Sequence, residues 1–438
     1  MSRERTYKVD LLTRVEGEGR FHLVVDGEDV KEAHLSIFEA PRFFEAFMRG
    51  RSFQEAPDIV ARICGICPVA YQMSAVRALE NALAWVPTPE IRTLRRLLYC
   101  GEWIESHALH VFLLHAPDFL GYASAMDMAR DHKALVERGL RMKKAGNSLI
   151  EVLGGRAIHP VSVRVGGFSR APSPAELGAL RPALEQGLGD ALTTVKWASG
   201  LRAPELESDY VFVTLCAQDY PLEWGDQIAI SGRGQFPVEA FDELFEEQQV
   251  ARSNALHCRL RDGTPYLCGP MARLNHAHER LHPTALAALA TSGLTLPLRN
   301  PYRSIVVRAI ELVHAFAEAL AIIDGYSCPQ PACFDLEAAS ASGSGASEAP
   351  RGLLWHRYEL DAGGLVETAR IVPPTSQNQA RIEADLVAIA PELLRLDHDA
   401  ATRRCEQLIR AYDPCISCAT HFLELTIDRA GADRSSAI

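Results

Sequence analysis

No uninterrupted apolar stretch in this 438-residue chain reaches the roughly 18 to 20 residues that a membrane span requires. The nearest, residues 305–326, is broken by Arg308, Glu311, His314 and Glu318. Lysine–arginine runs are also absent and the formal net charge is −11, so nucleic acid is excluded as a partner of the chain as a whole. The opening residues Met1-Ser2-Arg3-Glu4-Arg5 lead into acidic, alternating sequence with no signal-peptide core. There is no internal repeat, and no Gly-x-Gly-x-x-Gly turn of the kind that cradles a dinucleotide. The cysteines number 11 and are scattered along the chain, unlike the dense, even set of a small disulfide scaffold. These features predict a cytoplasmic chain whose thiols serve metal or redox chemistry.

Apolar residues make up 47% of the chain and charged residues 23%, which excludes a disordered or collagen-like polymer. The length allows roughly two to three packing units of about 150 residues. Alternation over residues 20–25 and 30–38, around Asp26-Gly27, predicts a β-hairpin. From Pro68 the period becomes helical, and long apolar stripes predict helices over 68–85, 89–115, 126–153 and 175–199. Residues 208–268 read as short strands, with a hairpin at Asp262-Gly263 and a helix near 237–252. Helices resume over 270–290 and 300–325, a second hairpin turns at Ala362-Gly363-Gly364, and helices close the chain. Residues 337–348, rich in Ala, Ser and Gly, read as a flexible loop. The expected fold is α+β and helix-dominated, a central bundle of long helices with antiparallel sheet at the periphery.

Two cysteine pairs carry the chemistry. In Arg62-Ile63-Cys64-Gly65-Ile66-Cys67-Pro68, two thiols three residues apart can face one metal, and Pro68 suits the first position of a helix. In Asp413-Pro414-Cys415-Ile416-Ser417-Cys418-Ala419-Thr420-His421, two thiols and an imidazole fall within two turns. A four-thiolate site drawn from both ends of the chain is either a structural zinc site or an active centre in the core. The remaining cysteines, Cys100, Cys216, Cys258, Cys268, Cys328, Cys333 and Cys405, read as core or incidental, since free cysteine packs as a small hydrophobe.

With these motifs the chain resembles the large, catalytic subunit of the [NiFe]-hydrogenases, specifically the soluble NAD(P)-linked, sulfhydrogenase-like subgroup. The resemblance spans nearly the whole chain as one unit. It also rests on Arg14-Val15-Glu16-Gly17, Arg42-Phe43-Phe44-Glu45, His107, His110 and Asp118, His159-Pro160, Gly166-Gly167, Ala349-Pro350-Arg351-Gly352 and Pro373-Pro374-Thr375-Ser376-Gln377-Asn378. It divides the chain into a β-rich segment 1–67, a helical core 68–336 with an α/β insertion, the loop 337–348, a segment 349–421 with the second pair, and an extension 422–438. A maturation protease would remove that extension.

The resemblance implies heterolytic cleavage of H2. Cys64 and Cys415 would be terminal nickel ligands; Cys67 and Cys418 would bridge nickel to an iron carrying carbon monoxide and cyanide. Cys415, rather than the far more basic Arg351, would accept the proton, and Glu16 would relay it outward. Pro350, Arg351 and Thr375 would line the diatomic ligands. A second site, for magnesium or iron, would use Glu45, the carbonyl of Ile371 and His421. His107, His110 and Asp118 read either as a buried hydrogen-bond network or as support for the metal site, His159 as structural, and Arg62 as a hydrogen-bonding neighbour of the site. Tyr71 stands where many relatives carry a histidine that hydrogen-bonds a bridging thiolate.

The chain has no further cysteine set for an iron–sulfur relay. Electrons would therefore leave through an iron–sulfur small subunit to diaphorase-type partners that hold FAD and NAD(P), docked on an exposed apolar face. The competing readings are a slow hydrogen sensor, a zinc-stapled scaffold and a quinone-binding relative; the last is disfavoured by the four cysteines.

Overall fold

The computed structural model describes residues 4–27, 29–40 and 42–420. Four long helices, Pro89–Leu109, Lys133–Gly154, Arg181–Ser199 and Ser304–Asp324, pack side by side at the centre. Ser304–Asp324 is buried on nearly every face over its first four turns, which is why it reads as the most apolar run of the sequence. No helix among the described residues is long and apolar enough to cross a membrane. Among the described residues, five small sheets, all antiparallel, surround the bundle. Two matter for the site: Glu4–Val9, Gly19–Asp26 and Asp29–Ile37 form one, and Ala341–Ala349, Gly352–Leu360 and Val366–Val372 the other. The fold is the helix-dominated α+β arrangement expected, and both expected hairpins at Asp26-Gly27 and Ala362-Gly363-Gly364 are present.

Several boundaries differ from the sequence reading. The 89–115 helix is regular only to Leu109 and widens into a π turn over His110–His115. The 126–153 helix is two, Ala125–Asp131 and Lys133–Gly154, and the 175–199 helix is also two, Pro174–Gly178 and Arg181–Ser199. The helix near 237–252 shrinks to single turns at Val238–Ala240 and Phe241–Leu244, followed by the strand Phe245–Gln248. That strand pairs with His257–Leu260, and the expected turn at Asp262-Gly263 follows it, with the Leu260 N–H donating to Thr264 O at 3.1 Å but no second paired strand beyond the turn among the described residues. Aromatic packing overrides helix propensity here: Phe241 stacks on Trp355 and Phe245, with ring centroids 4.6 and 4.4 Å apart.

The flexible loop is the largest correction. Ala341–Ala349 is a nine-residue strand, and most of it is buried between Gly352–Leu360 and the helix Pro68–Ala82. Its glycines serve close approach rather than flexibility. A Cβ at Gly343 would sit 2.4 Å from the Ala82 amide nitrogen, and one at Gly345 would sit 2.4 Å from that of Ala78. A small-residue strand can thus lie directly on a helix backbone, and that helix begins at the first cysteine pair. Gly345→Ala forces strand and helix apart and is expected to cost about 2–3 kcal/mol, read as a lower thermal unfolding temperature of the purified chain.

Candidate metal centre

The two cysteine pairs, 351 residues apart in sequence, meet in the core. Cys64 closes a short 3-10 turn, Ala61–Ile63, and Cys67 is the residue from which the helix Pro68–Ala82 starts. Cys415 and Cys418 follow the helix His398–Ala411, and the turn Ser417–Ala419 contains Cys418. The Cys64 and Cys415 sulfurs are 3.4 Å apart, those of Cys67 and Cys418 3.5 Å, and all four lie within 4.8 Å of one another. Among the described residues they are the one group of three or more possible ligands so arranged. Hydrogen bonding from Cys415, then from Cys418 and Cys67, pulls the Cys64 thiol well below its ordinary pKa, while burial pushes Cys415 well above it.

Arg42 ties the two segments together. Its backbone N–H donates to Thr420 O at 2.7 Å, and its guanidinium donates to Ile63 O, also at 2.7 Å, and to Ser417 O. Glu16 arrives from the N-terminal segment, with its carbonyl accepting the Ile416 N–H at 2.9 Å. Its Oε2 accepts from the Cys415 thiol at 3.1 Å and from the Ser417 N–H at 3.0 Å. Burial, and then the charge on Cys64, raise its pKa above the usual carboxylate value. Asp118 holds this loop in place: it pairs with Arg14 at 2.6 Å and with Arg410 at 2.8 Å, and Arg410 also donates to Thr13 O at 3.0 Å.

Arg351 projects from the two-residue turn between Ala341–Ala349 and Gly352–Leu360. Its Nε donates to Asp413 O at 2.8 Å and its Nη2 to Asp413 Oδ1 at 3.2 Å, whereas Nη1 is buried without a hydrogen-bond partner among the described residues. Burial opposes its charge, but Asp413 and the thiolates outweigh it and hold the guanidinium protonated. Thr375, on the first turn of Pro374–Leu393, accepts the Cys415 N–H at 3.0 Å. Beneath the turn, the fully buried Arg273 pairs with Glu311 and Glu348 and donates to Ala349 O at 3.0 Å and to Pro350 O at 3.1 Å.

The sequence model of the nickel-dependent hydrogenases matches residues 42–138 and 300–421, which include all four cysteines. The alpha subunits of sulfhydrogenases 1 and 2 of Pyrococcus furiosus are 32% and 35% identical to this chain. Each alignment covers 95% of it, with 98% and 99% of the respective relative. The chain belongs to the nickel-dependent hydrogenase family. The crystal structure of an NAD+-reducing [NiFe]-hydrogenase in the H2-reduced state superimposes with a TM-score of 0.82 at 28% identity, over 95% of this chain and 99% of that one. A [NiFeSe] hydrogenase of Desulfovibrio vulgaris Hildenborough shares the fold, with a TM-score of 0.75 at 22% identity.

The residues present fit the metal centre of a [NiFe]-hydrogenase. Four soft donors converge, and the spare N–H of Arg351 is a buried donor, as an anionic diatomic ligand such as cyanide requires. Where the sequence placed residues around this hydrogenase site, the outcome varies. Tyr71 is buried, and its hydroxyl donates to the Cys418 carbonyl at 3.4 Å; burial, then the thiolate charges, raise its pKa well above normal. Glu45 meets Ile371, but through the Ile371 N–H, which donates to Glu45 Oε1 at 2.8 Å. His421 and the extension 422–438 lie outside the described residues. Arg62 pairs with Asp58 at 2.9 Å on the surface and takes no part in the site. His107 pairs with Glu311 at 2.8 Å, His110 faces Arg410 O at 2.7 Å, and His159 Nδ1 faces Ala61 O at 2.6 Å. The other seven cysteines form no disulfide: Cys100, Cys258, Cys268 and Cys405 are buried, and Cys216, Cys328 and Cys333 are half-buried.

Sequence reasoning missed Asp413, Arg273, Ser417 and Glu39. Ser417 Oγ donates to Glu39 Oε1 at 2.8 Å, so it stands between Glu16 and a half-buried carboxylate. For Asp413 the signal was available, since it lies two residues before Cys415 inside the motif itself.

Proposed function

We propose that this hydrogenase subunit cleaves H2 heterolytically at a nickel–iron centre held by Cys64, Cys67, Cys415 and Cys418, and delivers the electrons through partner subunits to NAD(P). The observation that carries the first half is the convergence of the four thiols beside Glu16. When bound, the centre with its carbon monoxide and cyanide ligands supplies a soft, electron-rich site that polarises hydrogen.

The protein's own part is proton movement. The Cys415 sulfur takes the proton, since Arg351 is too basic to give one up and too firmly protonated to accept one. Glu16, 3.1 Å away and with a raised pKa, receives it. The Ser417 hydroxyl, which also hydrogen-bonds the Glu16 carboxyl and donates to Glu39 Oε1 at 2.8 Å, would continue the line toward solvent. Arg351 and Thr375 would donate hydrogen bonds to the diatomic ligands, and Pro350 would line them. Glu45, the Ile371 carbonyl and His421 would hold magnesium or iron beside the second cysteine pair, and a maturation protease would remove 422–438 after the metals are inserted.

Electron exit is assigned to the exposed Gly65 loop between Cys64 and Cys67, which lies beside the exposed Ile158. An iron–sulfur small subunit seated there would pass electrons to FAD and NAD(P) on diaphorase-type subunits in the cytoplasm. The likeness to the NAD+-reducing enzyme supports this routing. It is tested by hydrogen-dependent reduction of NAD+ and NADP+ by the complex purified with its native partners. Nucleotide reduction is expected. Reduction of viologen alone would remove the nucleotide link and leave hydrogen cleavage standing.

A further inference from the structure

The two sulfurs of the first cysteine pair sit in unlike hydrogen-bonding surroundings. Cys64 Sγ accepts two backbone N–H groups, from Ile66 at 3.3 Å and from Cys67 at 3.4 Å. Cys67 Sγ accepts none from the described residues, although its position invites them. Cys67 is the N-cap of the helix Pro68–Ala82, and an N-cap side chain ordinarily accepts the N–H of the second or third helical residue. Here these are Val69 and Ala70, because Pro68 occupies the first position and has no N–H. Both N–H groups are taken by a residue from another helix. Glu102, on Pro89–Leu109 and 0% exposed, accepts from Val69 N at 2.6 Å through Oε2 and from Ala70 N at 3.0 Å through Oε1. Burial raises the pKa of this carboxyl, and the two N–H donors oppose that shift.

We propose that Glu102 is a positioning residue that caps this helix in place of Cys67, leaving the Cys67 sulfur free of N–H donors and its lone pairs available to two metals. The inference rests on the proposed nickel–iron centre with the ligand roles the family resemblance implies, Cys64 terminal and Cys67 bridging. A thiolate that bridges two metals uses two lone pairs, and an N–H donor competes for one of them. A terminal thiolate has lone pairs to spare, which matches the two donors on Cys64. What matters is that both oxygens of this side chain accept an N–H, Oε2 from Val69 and Oε1 from Ala70. A glutamine at this position turns one of them into an NH2 group that faces an N–H, and the N–H so displaced can turn to the sulfur of Cys67, the N-cap residue.

The test is Glu102→Gln in the full complex, expressed with its native partners and maturation proteins. A newly hydrogen-bonded bridging thiolate donates less charge to iron, so the carbonyl and cyanide infrared bands are expected to move together to higher wavenumber at unchanged nickel content. Bands at wild-type positions would overturn the inference. Broadened, unshifted bands with reduced nickel content would also overturn it, because they would mark Glu102 as a packing residue only. Nickel(II) titrated into the metal-free full-length chain reads the same effect without maturation. The thiolate-to-nickel charge-transfer band is expected at shorter wavelength in the variant, and coincident bands would contradict the proposal. Absence of carbonyl and cyanide bands from the wild-type complex would be a different failure: it would remove the nickel–iron assignment and this inference with it.

Discussion

Cys415→Ser is expected to abolish hydrogen uptake, with activity falling by at least about 10³-fold. The substitution removes two functions at one atom. A serine hydroxyl is a hard, weakly acidic donor that does not replace a thiolate on nickel, and it places no basic sulfur 3.1 Å from Glu16. The backbone has little reason to move, since the Cys415 N–H stays on Thr375 and a hydroxyl can still donate to Glu16. The loss is therefore expected in a folded chain with reduced nickel content, measured by hydrogen-dependent viologen reduction and metal analysis together. Full uptake by the variant would overturn the assignment of Cys415 as ligand and proton acceptor.

Glu16→Gln separates proton movement from metal binding. The amide oxygen can still accept the Ser417 N–H now bonded at 3.0 Å, so the link between the N-terminal segment and the second cysteine pair survives. An amide does not titrate in the accessible range, and the relay is cut at its first step. Hydrogen–deuterium exchange is expected to fall by about 10²- to 10⁴-fold while nickel and iron contents match the wild type. Unchanged exchange would exclude Glu16 as the relay and direct attention to another group near Cys415.

The contrast between what was readable and what was not follows from how each residue does its work. The meeting of Cys64, Cys67, Cys415 and Cys418 was readable because two pairs of a rare residue type stand at the fixed local spacing that a metal site requires. Glu16 and Arg351 were readable only through the motifs that surround them. The long helices were legible from their apolar stripes, whereas the break at His132 and the π turn at His110–His115 left no clear mark in the periodicity. The strand Ala341–Ala349 was misread because alanine, serine and glycine signal flexibility when a segment stands alone. They signal close packing when a helix backbone lies 2.4 Å from where a Cβ would be. Glu102, Arg273 and Glu39 carry no local signature, because each acts on a segment far away in sequence. Glu102 reaches Val69 across 33 residues and Arg273 reaches Pro350 across 77. Such pairings depend on tertiary packing, and a single sequence contains no term for them.

The central claim is that the four converging thiols hold nickel and iron rather than one structural zinc ion. An infrared spectrum of the anaerobically purified complex, taken alongside metal analysis, tests it most directly. The account predicts bands from iron-bound carbon monoxide and cyanide, with nickel and iron both present. A folded complex that lacks those bands and carries zinc at the cysteines would contradict it.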